Sequence, residues 1–100
     1  MKKQKEKPSL DALKVTNAQV YPVKAKGSKT LAMARVVLNE QLQLTGLRVV
    51  DGVNGYFVSY PIDPTYQGED YHSIYYPLQK ELREEIEFRI LQKYQEVMES

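Results

Sequence analysis

Lys24, Lys26 and Lys29 set three ammonium groups around a Gly27-Ser28 reversal, within one short stretch of chain. Amines crowded on a turn, with no base or nucleophile beside them, are suited to holding phosphate oxygens or another anionic surface. The charge distribution extends that property. Residues 1 to 35 carry nine Lys/Arg against Glu6 and Asp11, a balance of +7, and the remainder balances to −6, although the whole chain is only +1. A second pair, Lys80 and Arg83, falls at the start of a helical segment, where the positive end of the helix dipole adds to them. Ion pairing with Glu84 and Glu87 one turn on is their competing use. The lysine-rich terminus by itself is equally an ordinary solubilising tail.

Other chemistries are excluded by what is missing. His72 is the only histidine and cysteine is absent, which removes His-based metal clusters, thiolate sites, thiol nucleophiles and disulfides. No HExxH, GxSxG, GxGxxG or phosphate-binding GxxxxGK[ST] run occurs, and the acids are scattered through turns and one helix face. The sequence predicts no enzyme, no catalytic residue, no metal and no cofactor.

Two further patterns have a functional and a structural use. Gly52 and Gly55 form a GxxG that can clamp a nucleic-acid backbone when it joins two helices. Here both flanks, "LRVV" and "YFVSY", have strand composition, so a hairpin is the simpler use, with Asn54-Gly55 suited to positive φ at both centres of a type I′ turn. Asp51 then serves turn amides rather than acting as a base. Six of the eight tyrosines, Tyr56, Tyr60, Tyr66, Tyr71, Tyr75 and Tyr76, crowd the region after that turn. Aromatics on a sheet can stack bases, and tyrosine is also a common half-buried strand residue.

The elements that must position these residues follow from period and turn signals. One hundred residues at 42% hydrophobic content suffice for one small core. Residues 1–9 read as a basic flexible arm, and 10–100 as a single domain with strands over about 13–78 and a helix over about 79–98. "LKVTNAQVYPV" predicts a first strand, with Pro22 at a sheet edge or strand end. "TLAMARVVLN" alternates two largely apolar faces, both expected to be covered, and "NEQ" turns the chain. Leu42 and Leu44 differ in parity from Leu47 and Val49, which predicts a β-bulge at Gly46. "YHSIYYPL", from Tyr71, predicts a fifth strand after an exposed loop.

In the helix, Leu78, Leu82, Ile86, Ile90, Tyr94 and Val97 recur at spacings of three and four, one stripe to lie on the sheet. Phe88, Leu91 and Met98 lie round the cylinder as a second apolar patch, predicted to be a dimer contact. The helix segment balances to −2, which disfavours it as a whole as a groove reader. The fold class is α+β, an antiparallel sheet of about five strands with a C-terminal helix packed on it. No run is long enough to span a membrane and no apolar stretch follows the basic start, so a cytoplasmic location is expected.

The segment "LRVVDGVNGYFVSYP", Leu47 to Pro61, resembles the signature of the SpoVG family (stage V sporulation protein G, also called septation protein). Its pattern is aliphatic-Arg-aliphatic-aliphatic-Asp-Gly-x-Asn-Gly-x-Phe-Val-x-x-Pro, matched at Arg48, Asp51, Gly52, Asn54, Gly55, Phe57, Val58 and Pro61. The resemblance extends from about Val15 to Tyr94. It implies a small bacterial cytoplasmic regulator that forms homodimers by sheet extension and binds DNA and RNA, with contacts at the start of the C-terminal helix. Arg83 matches the family's arginine there; Glu84 and Glu85 stand where the family has a small residue and a lysine. Lys24, Lys26, Lys29, Lys80 and Arg83 are therefore the expected nucleic-acid contacts. The alternative is a protein-interaction module of division or regulatory machinery that needs no nucleic acid.

Overall fold

The computed structural model describes residues 12–24, 27–68 and 72–99. The predicted arm at 1–9 lies outside them, as do Lys26 and Tyr71. Strands β1 (Val15–Pro22), β2 (Thr30–Leu38), β3 (Leu42–Gly52) and β4 (Gly55–Ser59) form one antiparallel meander in chain order, followed by helix α1 (Lys80–Glu99). Each neighbour in sequence is a neighbour in the sheet, so short reversals suffice for every connection between strands. The α+β class and the C-terminal helix agree with the sequence; the strand count does not. Residues Ser73 to Leu78 form no strand, and the only strand-like pairing of this segment is an isolated bridge, Ile62 to Ser73. Strand composition is present there, but Pro77 within it and Pro61 and Pro64 flanking Ile62 in the stretch it faces leave few amides in register for a ladder.

The predicted bulge is present. Val36 pairs with Leu44 and Ala34 with Leu47, so β3 spends one residue more than β2 over this interval. Gly46 absorbs the excess at φ 83, a backbone conformation that a side chain would strain. After the bulge Leu47 and Val49 point at the helix, completely buried. Two further register shifts lie between Val15 and Asn17 and between Thr30 and Ala32.

The reversals differ from the sequence expectation in one respect. The β3–β4 loop is centred on Val53-Asn54, closed by the Gly52–Gly55 pair, and the positive φ falls on Gly55 alone at 118. The two-residue turn with both centres left-handed is Asn39-Glu40, at φ 54 and 56, closed by the Gln41 amide donating to the Leu38 carbonyl at 2.9 Å. Gly52 is required for another reason: a Cβ there would lie 2.8 Å from the Phe57 ring, which rests on its backbone.

Helix α1 lies on one face of the sheet, chiefly along β1. Ile86, Ile90 and Tyr94 are its buried stripe, with Leu82 and Leu91 packed beside them, against Val20, Ala34, Val36, Leu47 and Val58. Small residues in β2, Ala32 and Ala34, let the helix approach closely. Leu78, expected on this stripe, precedes the helix and is 90% exposed. The helix also closes the β1 edge: the Val15 amide donates to Glu85 Oε2 at 3.1 Å, and Arg89 Nη1 donates to the Val15 carbonyl at 3.0 Å. One helix turn thus satisfies both edge-facing groups of a single strand residue.

The other sheet face is not covered by any described residue layer, contrary to the expectation from β2. Met33 and Tyr21 on this face are 38% and 48% exposed, while Ala32, Ala34, Val36 and Leu38 on the helix side are buried.

Candidate nucleic-acid interface

The four described cations expected to act together, Lys24, Lys29, Lys80 and Arg83, do not form one cluster. Lys24 and Lys29 flank the β1–β2 reversal, both exposed. Lys29 is fixed there by its carbonyl, which accepts the Asp51 amide at 2.8 Å, and the Ser28 hydroxyl accepts the Thr30 amide at 3.1 Å. Lys80 and Arg83 sit at the opposite end of the sheet, because Glu85 two residues on is bonded to Val15 at the start of β1. The eight residues of β1 separate the two groups by roughly 25 Å at about 3.3 Å per residue.

The pair at the helix start is already engaged. Lys80 Nζ lies 4.0 Å from Glu84 Oε2 across one turn, both side chains largely exposed. Arg83 Nη1 donates to the Pro77 carbonyl at 3.3 Å, and its guanidinium lies 5.5 Å from the Tyr76 ring centroid. Tyr76 packs edge-on against Tyr60, whose hydroxyl donates to Glu87 Oε2 at 3.0 Å. Burial, reinforced by the Glu87 charge, pushes the Tyr60 hydroxyl well above the usual phenol range. This chain of contacts ties the irregular segment after the sheet to the helix. The expected Arg83–Glu87 ion pair is replaced by it.

The crowded tyrosines have structural partners too. Tyr56 meets Tyr94 edge-on at 5.4 Å, Tyr60 meets Tyr75 at 6.3 Å, and Tyr66 meets His72 at 4.3 Å. The Tyr75 hydroxyl donates to the Thr45 carbonyl at 2.6 Å, beside the bulge. Asp63 holds the intervening loop by accepting from the Thr65 hydroxyl and amide at 2.7 and 2.9 Å, bonds that keep its carboxyl below the usual range.

The structure assembles a different group on the open sheet face. Gln19 of β1 pairs with Arg35 of β2, and Tyr21 with Met33; Met33 in turn pairs with Arg48 of β3, and Arg48 with Ser59 of β4. Gln19 Oε1 accepts from Arg35 Nε and from the Tyr21 hydroxyl, each at 2.6 Å, and the Arg35 guanidinium lies 5.4 Å from the Tyr21 centroid. Arg48 Nη2 reaches Ser59 Oγ at 3.4 Å. Neither arginine has a carboxylate partner among the described residues. The only acid within the four strands is Asp51, which pairs with Tyr56 on the helix side and does not meet Arg48. Phe57, 48% exposed, completes the face opposite Val50. Sequence reasoning missed the Tyr21–Gln19–Arg35 group, whose one signal is that Tyr21 and Gln19 share strand parity.

The helix patch forms a shallow groove with the outer strand. Tyr56, Phe88, Leu91, Gln92 and Gln95 line about 490 Å³. Phe88 and Met98 are 64% and 57% exposed. The β4 edge beside this groove carries no further strand among the described residues.

A four-stranded meander with one helix, a cation-bearing open face and no cluster of metal-binding side chains among the described residues defines a small α+β protein built around surfaces rather than an enclosed pocket. The chain belongs to the SpoVG family: the SpoVG family model matches residues 13–96. It is 34% identical to the septation protein SpoVG of Macrococcus caseolyticus over 84 residues, covering 84% of this chain and 71% of that one. The Clostridium perfringens relative of the same name is 31% identical over 85% of this chain and 92% of its own. That of Staphylococcus aureus is 30% identical over 87% and 85% respectively. These relatives carry the name of a septation protein, not of an enzyme. No helix among the described residues is long and apolar enough to cross a membrane.

Proposed function

We propose that this chain is a dimeric, non-catalytic nucleic-acid-binding regulator of gene expression, linked to septation or division and acting in the cytoplasm. The observation that carries this is the segregation of charge between layers. The helix carries six Glu against Lys80, Arg83, Arg89 and Lys93, whereas Lys24, Lys29, Arg35 and Arg48 on the hairpin end and the open face have Asp51 as the one acid of the four strands, on the other face. A polyanion approaching the sheet side meets cations without crossing the acids. Lys26 belongs to the same reversal by sequence. Lys80 and Arg83 contribute secondarily, since Glu84 and the Pro77 carbonyl already engage them.

The second copy docks at the β4 edge and the Tyr56/Phe88/Leu91 groove, with Met98 at its end; an unpaired strand beside an apolar groove can extend the sheet and bury the patch in one contact. A purely protein-binding role is favoured by that same groove. Fluorescence-anisotropy titration with mixed-sequence duplex DNA and single-stranded RNA, each at low and physiological salt, separates the two. Affinity should fall steeply with salt, and replacing Lys24, Lys26 and Lys29 by alanine should flatten the log–log slope by about one for each lost phosphate contact. An unchanged slope removes the hairpin assignment. No binding at low salt leaves the protein-interaction role. Phe88→Glu should shift sedimentation from dimer to monomer.

A further inference from the structure

Resting on the nucleic-acid reading above, we infer that the open sheet face is a stacking platform for one single strand of nucleic acid, with Tyr21, backed by Arg35, and Phe57 as its base contacts. Three features of the face carry this. First, it has the charge of a partner for a polyanion: Arg35 and Arg48 without a carboxylate among the strand residues around them. Second, Arg35 is held, not free. Gln19 Oε1 fixes both its Nε and the Tyr21 hydroxyl at 2.6 Å, so the guanidinium is oriented before any ligand arrives while its terminal nitrogens bond no described residue. Preorganisation of this kind lowers the ordering cost of binding. Third, the exposed rings lie on the two outer strands. Tyr21 on β1 and Phe57 on β4 are each 48% exposed and are separated by three strand spacings, about 14 Å.

The geometry selects an unpaired strand over a duplex. A sheet face offers ring faces and short polar side chains, which meet bases only when these are unstacked from a complementary strand. Four-stranded sheets that carry aromatics on the face opposite their helices bind single-stranded RNA in this way; this is an analogy of layout. Lys24 and Lys29, at the Tyr21 end of β1, extend the cationic track off the sheet for the backbone of the same strand. Arg48, between Met33 and Ser59, lies under the middle of the path.

The test is an amide-resolved NMR titration of the full chain with a mixed-sequence nonamer as single-stranded RNA, as single-stranded DNA, and as the DNA duplex. Both single strands should shift Gln19, Tyr21, Met33, Arg35, Arg48 and Phe57, with the duplex leaving Met33 and Phe57 unmoved. A stronger RNA response would add the 2′-hydroxyl to the recognition; an equal one would assign it to bases and phosphates. Tyr21→Ala should weaken single-strand binding about 5- to 150-fold, one stacked base, with the salt slope and duplex affinity unchanged. Phe57→Leu, which keeps an apolar cover over Gly52, should do the same more mildly. Shifts confined to the Lys24–Thr30 reversal and the helix start, with Tyr21→Ala binding like the parent, would overturn the platform and leave phosphate binding intact. Silence with all three ligands would overturn the nucleic-acid reading itself. Open-face shifts that follow protein concentration instead of ligand would assign the face to a second copy of the chain and overturn the platform.

Discussion

The two faces of this sheet are built from alternate residues of the same strands, yet they are under different constraints. On the helix side Ala32, Ala34, Val36, Leu47 and Val49 are buried at 3% exposure or less; their side chains carry no polar atom, and shape decides. On the other side Gln19, Arg35, Arg48 and Ser59 are linked by side-chain hydrogen bonds among partly exposed groups. The contrast teaches that one side specifies the fold and the other is available for recognition. A change on the first should act on stability, and one on the second should act on binding.

The sharpest way to break that comparison is a matched pair of truncations. Leu47→Ala removes a fully buried side chain after the bulge and should cost about 2–5 kcal/mol in urea unfolding. Met33→Ala, 38% exposed on the open face, should stay within about 1 kcal/mol. Equal losses would show that the open face is covered in solution and that the faces are not distinct.

A smaller effect tests how the helix is held to its side. The Glu85 carboxylate accepts the Val15 amide while Arg89 donates to the Val15 carbonyl. Glu85→Ala should cost about 1–2 kcal/mol, since a charged group bonded to a backbone amide is lost, and should speed hydrogen exchange at Val15. Glu84→Ala, whose Lys80 partner is as exposed as itself, should change stability by under about 0.5 kcal/mol. If the two variants match, the edge clamp contributes nothing. Glu85 thus has a structural use at the β1 edge.

What could be read from the chain divides along physical lines. The Gly46 bulge was legible because a parity change in a half-buried strand admits no other solution, and the Ile86/Ile90/Tyr94 stripe because its period is helical. The fifth strand was not, since strand propensity at Ser73 to Leu78 is overridden by Pro77, by Pro61 and Pro64 in the stretch it faces, and by tertiary contacts of Tyr75 and Tyr76. The left-handed turn was expected at Asn54-Gly55 and occurs at Asn39-Glu40, where Asn39 suits the left-handed region and the strand pairing imposes it on Glu40. Met33 and Val37 made β2 look covered on both sides. For the site, charge located the Lys24 and Lys29 end, but only the fold reveals that β1 holds it away from Lys80 and Arg83. The Gln19–Arg35 pairing depends on a register that no local pattern contains.

The smallest expected effect comes from the contact between the irregular segment and the bulge. The Tyr75 hydroxyl donates to the Thr45 carbonyl, and burial pushes its pKa up to about 12, above the ordinary value of about 10. The folded state therefore holds this proton more tightly than the unfolded state does. Its contribution is complete below about pH 10 and is lost as pH rises from there through about 12, because the unfolded chain releases the proton first. Absorbance titration at the tyrosinate band should show a late step that Tyr75→Phe reduces by one group. Stability should be flat across neutral pH in both proteins, with the parent losing more than Tyr75→Phe between pH 10 and 12. Equal alkaline losses would mean that Tyr75 titrates as it does in the unfolded chain and that its contact with the Thr45 carbonyl beside the bulge adds nothing to the alkaline stability.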